Sequence, residues 1–154
     1  MKHLFLMLGC FAYLILSCLC EAKEIIPGPI PARVIRVIDG DTLVVSAQIW
    51  LGHKIETIVR IKGIDAPELK GKCPYEKELA KEAKSFLKQA VNGKTIMLSD
   101  ISNGKYAGRV LANIQTDKYP SIGTTLINAG LARPYYGEKR SSWCSDTNPA
   151  QPEF

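Results

Sequence analysis

The spacing of hydrophobic and polar residues changes along this chain, and each change marks an element. Residues 4–20, "LFLMLGCFAYLILSCLC", form one uncharged run. It follows the basic start "MKH" and precedes "EAKE", the layout of a secretory signal. The run is short for a membrane span of about 20 residues. "IIPGPIPA" is a proline- and glycine-rich leader, predicted extended and irregular. In "RVIRVIDGDTLVVSA", Val34, Val37, Val44 and Val45 predict two strand arms around a "DGD" turn. "IETIVRIKGI" sets Ile58, Arg60 and Lys62 against Val59 and Ile61, which predicts a half-buried strand.

The period then lengthens. "YEKELAKEAKSFLKQAV" places Leu79, Ala83, Phe86, Leu87 and Ala90 on one helical stripe, and Asn92 or Gly93 can end it in a left-handed cap. "TIMLSD" and "YAGRVLANIQ" predict two short strands joined by "ISNGK", where Asn103-Gly104 is a hairpin signal. "IGTTLINAGLA" predicts a short helix ending near Gly130, and the last fifteen residues read mostly as tail.

Strands, a helix, two strands and a short helix predict a small, strongly bent antiparallel barrel with helices packed on it. No glycine fingerprint follows the first strand and no Walker loop is present, which excludes the common nucleotide-binding frameworks. The whole chain has 154 residues, room for one core. Its expected organisation is a signal at 1–22, a leader at 23–31, one domain at 32–144 and a flexible tail at 145–154.

Charge and cysteine use sharpen this picture. The formal charge is +5, and removal of Lys2 with Glu21 leaves it unchanged. A positive field favours polyanions such as nucleic acids, or an anionic membrane. Cleavage after Ala22 implies a secreted or periplasmic protein. In a bacterial protein, "ILSC" offers lipid attachment at Cys18 instead, and a retained helix is the third reading. Cys10, Cys18 and Cys20 fall in the signal, so Cys73 and Cys144 remain. Outside the cell such a pair reads as one disulfide, worth about 4 kcal/mol in the loop-entropy model. Two free buried cysteines are the alternative.

His53 is the only histidine beyond the signal, which removes histidine-pair catalysis and histidine-rich zinc centres. Hydrolysis would have to rest on carboxylates and arginines. Asp39 and Asp41 flank Gly40, and Asp65 and Glu68 lie near the exit of a later strand. If those strands are neighbours, the acids share one rim, where hard oxygens suit Ca²⁺. Ordinary turns are the competing use. Arg60 and Arg109 carry guanidinium forks shaped for phosphate oxygens, with surface ion pairs as their competing use. Arg133, Tyr135, Tyr136, Lys139 and Arg140 mix charge with rings, a platform for bases.

The segments "VIDGDTLVV", "VRIKGIDAPE", "KYAGRVLANI" and "INAGLARPYY", in that order, resemble the thermonuclease (staphylococcal nuclease-like) family. The resemblance spans about residues 32 to 136 and implies a five-stranded OB-fold barrel of the staphylococcal nuclease type, in the α+β class. It implies that Asp41 and Asp65 ligate Ca²⁺ with the backbone carbonyl of Ala66, and that Asp39 stands behind them. It implies that Glu68 orients or deprotonates the attacking water, that Arg60 and Arg109 clamp the phosphate, and that Tyr136 borders the nucleotide. The implied activity is cleavage of single-stranded or frayed DNA and RNA to 3′-phosphate ends. Oligomeric state is open in the sequence, with a monomer as the default and no protein partner expected. Two departures stand out. Ala107 intrudes into the usual tyrosine-glycine-arginine, so Arg109 reaches the site only if a turn or bulge absorbs the extra residue. The chain also stops soon after Trp143. The competing function is an OB-fold module that binds nucleic acid or another polyanion without cutting.

Overall fold

The computed structural model describes residues 24–144; the expected signal at 1–22 and the expected tail at 145–154 lie outside the described residues. In chain order the elements are β1 (Ile25–Ile26), β2 (Ile30–Val37), β3 (Thr42–Trp50), β4 (His53–Ile61), β5 (Ile64–Asp65), α1 (Pro74–Val91), β6 (Thr95–Asn103), β7 (Arg109–Gln115), α2 (Ile122–Asn128) and β8 (Arg133–Pro134). The main sheet runs β1-β6-β2-β3-β4-β7, and β6 also pairs with β7, so five strands close into a barrel with β1 outside it. This is the OB-fold, α+β architecture that the resemblance implies.

The alternation seen in the sequence sets the faces. Val59 and Ile61 point inward with Leu43, Val45, Ile96, Leu98 and Ile114, while Arg60 is left on the outer face of β4. Helix α1 seals the core with Ala83, Leu87, Ala90 and Val91, and α2 adds Ile122 and Leu126. Leu79 and Phe86 pack only at the edge of this core. Pro74 at the first turn and Gly93 at φ 66° bound α1. Gly93 therefore supplies the left-handed residue, and Asn92 remains extended.

Three expectations are corrected. The barrel is mixed, because β4 and β7 pair in parallel: the chain between them passes through α1 and β6 and returns in the same direction. The leader is not irregular; β1 pairs with β6 and β2 begins at Ile30, so backbone donors in "IIPGPIPA" enter the sheet. The β6–β7 connection is not a tight Asn103-Gly104 turn, since β6 runs to Asn103 and Gly104 N–H bonds the Arg109 carbonyl at 2.9 Å across a longer loop. The last described residues pack on the barrel, with Trp143 only 7% exposed and Cys144 bridged to Cys73.

Candidate active site

Asp41 immediately precedes β3 and Asp65 closes β5, and the fold brings both against the strand that carries Arg60. The β3–β4 register sets Thr42 opposite Arg60. Arg60 Nη1 donates to Asp41 Oδ1 at 2.7 Å, and Nη2 donates to Asp65 Oδ1 at 3.2 Å and to the Ile64 carbonyl at 3.4 Å. Asp41 Oδ1 also accepts the Thr42 hydroxyl at 2.7 Å, while Oδ2 accepts the Ala66 N–H at 3.1 Å. Asp39 stands behind, its Oδ1 accepting the Asp41 N–H at 3.1 Å. The two acidic motifs are thus one unit, with Arg60 lying directly on both carboxylates.

Glu68 sits on the loop between β5 and α1, more exposed than the aspartates. Its Oε1 accepts from Arg140 Nη1 at 2.7 Å, and Arg140 Nε lies 3.0 Å from Asp65 Oδ1. The loop itself rests on Glu76, a buried carboxylate in the first turn of α1. Glu76 accepts the backbone N–H groups of Lys72 at 2.9 Å and of Glu68 at 3.4 Å. A glutamate at the third helical position reaching back across the N-terminus is capping chemistry, here extended to hold a functional loop.

Arg109 is the first residue of β7. The inserted Ala107 is taken up in a turn: Arg109 N–H bonds the Tyr106 carbonyl at 3.2 Å, and Gly108 adopts φ 75°, which a side-chain-bearing residue would strain to reach. Parallel pairing then sets Arg109 beside Ile58 and Leu111 beside Arg60, so both arginines fall on one face. They line a cleft of ≈ 780 Å³ together with Asp39, Thr42, Glu68, Tyr135 and Arg140. The Arg109 guanidinium stacks 4.7 Å from the Tyr106 ring, and its buried Nε–H has no acceptor among the described residues. A buried donor without an acceptor costs free energy that an arriving anion would recover.

Tyr136 is 82% exposed and borders the neighbouring groove beside Gly63 and Thr124. Tyr135, fixed by its N–H to the Gly63 carbonyl at 2.9 Å, faces both that groove and the cleft.

The electrostatics favour added positive charge. Burial pushes the Asp41 carboxyl up from 3.8 to about 6, Asp39 adds to the rise, and Arg60, Thr42 and the Ala66 N–H only partly offset it. Asp41 is 3% exposed and Asp65 7%. Both carboxylates are buried hard-oxygen donors, the class of ligand that suits a hard divalent cation. Cys73, Glu76 and Cys144 also bring potential ligand atoms within 4.8 Å of one another. Both sulfurs are joined in the bridge, and a disulfide offers no thiolate to a metal, so this cluster is not that site.

Sequence reasoning brought forward the residues gathered here but misjudged some neighbours. Arg140, read there as part of a base platform, turns onto the acids. Glu76 has no role in the sequence reading, although proline at the first helical position and glutamate at the third are a legible N-terminal signal.

The family model described as staphylococcal nuclease homologue matches residues 58–150. An Escherichia coli protein named an uncharacterized endonuclease is 27% identical over 139 residues, covering 80% of this chain and 82% of its own. A probable endonuclease of Schizosaccharomyces pombe is 37% identical over 89 residues, covering 53% of this chain and 38% of its own.

Proposed function

Because the chain belongs to the staphylococcal nuclease homologue family, we propose that it is a secreted, Ca²⁺-dependent phosphodiesterase that cuts DNA and RNA backbones with water. Membership makes it a nuclease-family enzyme acting on nucleic acids; the cation, the cleavage chemistry and the location are the further content of the proposal. The observation that carries it is the pairing of Arg60 and Arg109 on one face of the β4–β7 pair, lining one cleft with Glu68.

Phosphodiester hydrolysis needs a placed water, relief of charge on the phosphoryl oxygens, and a leaving oxygen that can depart. Arg109 offers a buried N–H with no acceptor among the described residues, and Arg60 offers a fork already desolvated by its surroundings. Hydrogen bonds from both strengthen as the transition state gains negative charge. Glu68 Oε1 is held by Arg140, which leaves Oε2 to orient the attacking water. Calcium, when bound by Asp41, Asp65 and the Ala66 carbonyl, supplies charge withdrawal from a phosphoryl oxygen. Fission at the 5′-oxygen leaves 3′-phosphate ends. The grip is on the backbone, so DNA and RNA both serve, single strands or frayed ends best.

Secretion or a periplasmic location is supported by the Cys73–Cys144 bridge, which persists in oxidising compartments, and by the apolar N-terminal run. A monomer is proposed, with lipid attachment at Cys18 as the variant form. The competing function, binding without cutting, draws on the Arg60 ion pairs, which occupy the oxygens a cation would use.

Digestion of single-stranded DNA and RNA by the purified protein, with Ca²⁺ and then with a chelator, tests this. Cleavage that stops on chelation is expected. Binding without cleavage under both conditions would favour the competing function.

A further inference from the structure

The segment from Arg133 to Cys144 is fastened beside the site at both ends. At its start, β8 pairs with β5, setting Arg133 opposite Asp65. The segment is also folded on itself: the Arg133 guanidinium lies 3.6 Å from the buried Trp143 ring and donates to the Ser142 carbonyl at 3.0 Å. At its end, Cys144 is bridged to Cys73, the residue that caps α1 and ends the loop carrying Glu68. Between these anchors Arg140 reaches into the cleft, with Nε on Asp65 and Nη1 on Glu68, and its guanidinium 5.8 Å from the Tyr135 ring. Residues 68–73, the bridge, residues 140–144 and the Arg140–Glu68 ion pair therefore close one small ring.

We propose that Arg140 is a positioning residue of the active site, holding the Glu68 carboxylate in its working orientation, and that the Cys73–Cys144 bridge keeps Arg140 in place. Glu68 is half-exposed on a loop, and a lone carboxylate there would rotate freely. A guanidinium spanning Glu68 and Asp65 fixes it by two charge-assisted bonds in a set geometry. The bridge raises the effective concentration of that guanidinium at the loop by closing the ring through short arms. Glu76 supports the same loop from beneath, through its bonds to the Lys72 and Glu68 N–H groups. The inference rests on the phosphodiesterase reading of the cleft.

The test compares the oxidised full chain, the same chain reduced with dithiothreitol, Arg140→Gln and Arg140→Lys on single-stranded DNA with Ca²⁺. Reduction moves two electrons and two protons from the dithiol to the bridge, giving two protein thiols and the cyclic disulfide of the reagent. Arg140→Gln should lower kcat about tenfold, as loss of a supporting partner does, with KM within about twofold. Reduction should lower kcat of the parent chain similarly and add little in the Arg140→Gln background; Arg140→Lys should fall between. An unchanged or raised kcat in Arg140→Gln overturns the proposal, the raised value marking an inhibitory contact. So does a reduction effect of equal size in both backgrounds, which would make the bridge merely structural. If the oxidised chain cuts nothing, the phosphodiesterase reading fails, and solvent exchange of the Arg140 Nε–H, followed by NMR, decides the structural half. Slow exchange that quickens on reduction and in Glu68→Gln supports the tether; exchange insensitive to both refutes it.

Discussion

Asp41 Oδ2 accepts the backbone N–H of Ala66 at 3.1 Å, joining the "DGD" turn to the "DAPE" loop by a buried hydrogen bond. The site is assembled around that contact, since Arg60 then bridges the aspartate of each motif. Gly40 makes the approach feasible. A Cβ there would lie 2.7 Å from Ala83 Cβ on α1 and 2.9 Å from Ala66 Cβ. Both neighbours are side chains rooted in packed backbone, with no flexible end to move aside.

Gly40→Ala should therefore push the turn off α1 and off Ala66. Overpacking of this kind costs about 1–3 kcal/mol. Urea unfolding should show the loss, and cleavage should fall beyond what the unfolded fraction explains, because Asp41 moves with the turn. A variant as stable and active as the parent would mean that the wedge relaxes freely.

Arg60 and Arg109 should separate stability from chemistry. Arg60→Ala strands the buried Asp41 carboxylate and leaves Asp65 with Arg140 alone, so its loss should cost about 3 kcal/mol of stability. Ca²⁺ should restore part of it by supplying the missing charge. Arg109 holds no ion pair among the described residues, and Arg109→Ala should leave unfolding nearly unchanged while slowing cleavage about a hundredfold. Denaturant melts with and without Ca²⁺, beside turnover on single-stranded DNA, check both.

Glu68→Gln keeps the shape of the side chain and removes its charge. Turnover should drop about a hundredfold or more, the range for a lost general base. Calcium binding, measured by calorimetry, should persist, because the proposed ligands are Asp41, Asp65 and the Ala66 carbonyl. Unchanged turnover would remove Glu68 from the water-handling role.

The Cys73–Cys144 bridge spans a sequence separation of 71 residues. Neither cysteine should react in a thiol titration of the unfolded, unreduced protein. Cys73→Ser with Cys144→Ser should lower stability by about 3 kcal/mol, less than the full loop-entropy figure because the unfolded chain retains some compactness. Free thiol at either position before reduction would contradict the bridge.

Much of the fold was legible because its signals are local. The Val34–Val45 arms, the alternation at Val59 and Ile61, and the stripe through Ala83, Leu87 and Ala90 follow from side-chain periodicity. What failed were features that local pattern does not encode. The leader looked irregular because prolines weaken strand signals, yet Ile25 and Ile26 pair with β6 far along the chain. Asn103-Gly104 looked like a tight turn, but the residues after it form their own turn at Gly108.

The sequence by itself determined which chemistry is available: hard carboxylate oxygens, permanently charged guanidinium forks, almost no histidine, and an even pair of cysteines beyond the apolar run. Those are properties of side chains and need no fold. Tertiary structure decided which of them meet. Asp41 and Asp65 share Arg60 because β3, β4 and β5 are brought together. Arg109 joins the same face because β7 pairs in parallel register with β4. Arg140 meets Glu68 where the β5–β8 pairing and the Cys73–Cys144 bridge bring residues 133–144 beside the loop that carries Glu68. Contacts between residues so far apart in sequence depend on strand register and crossover geometry, and no short window of the chain contains either.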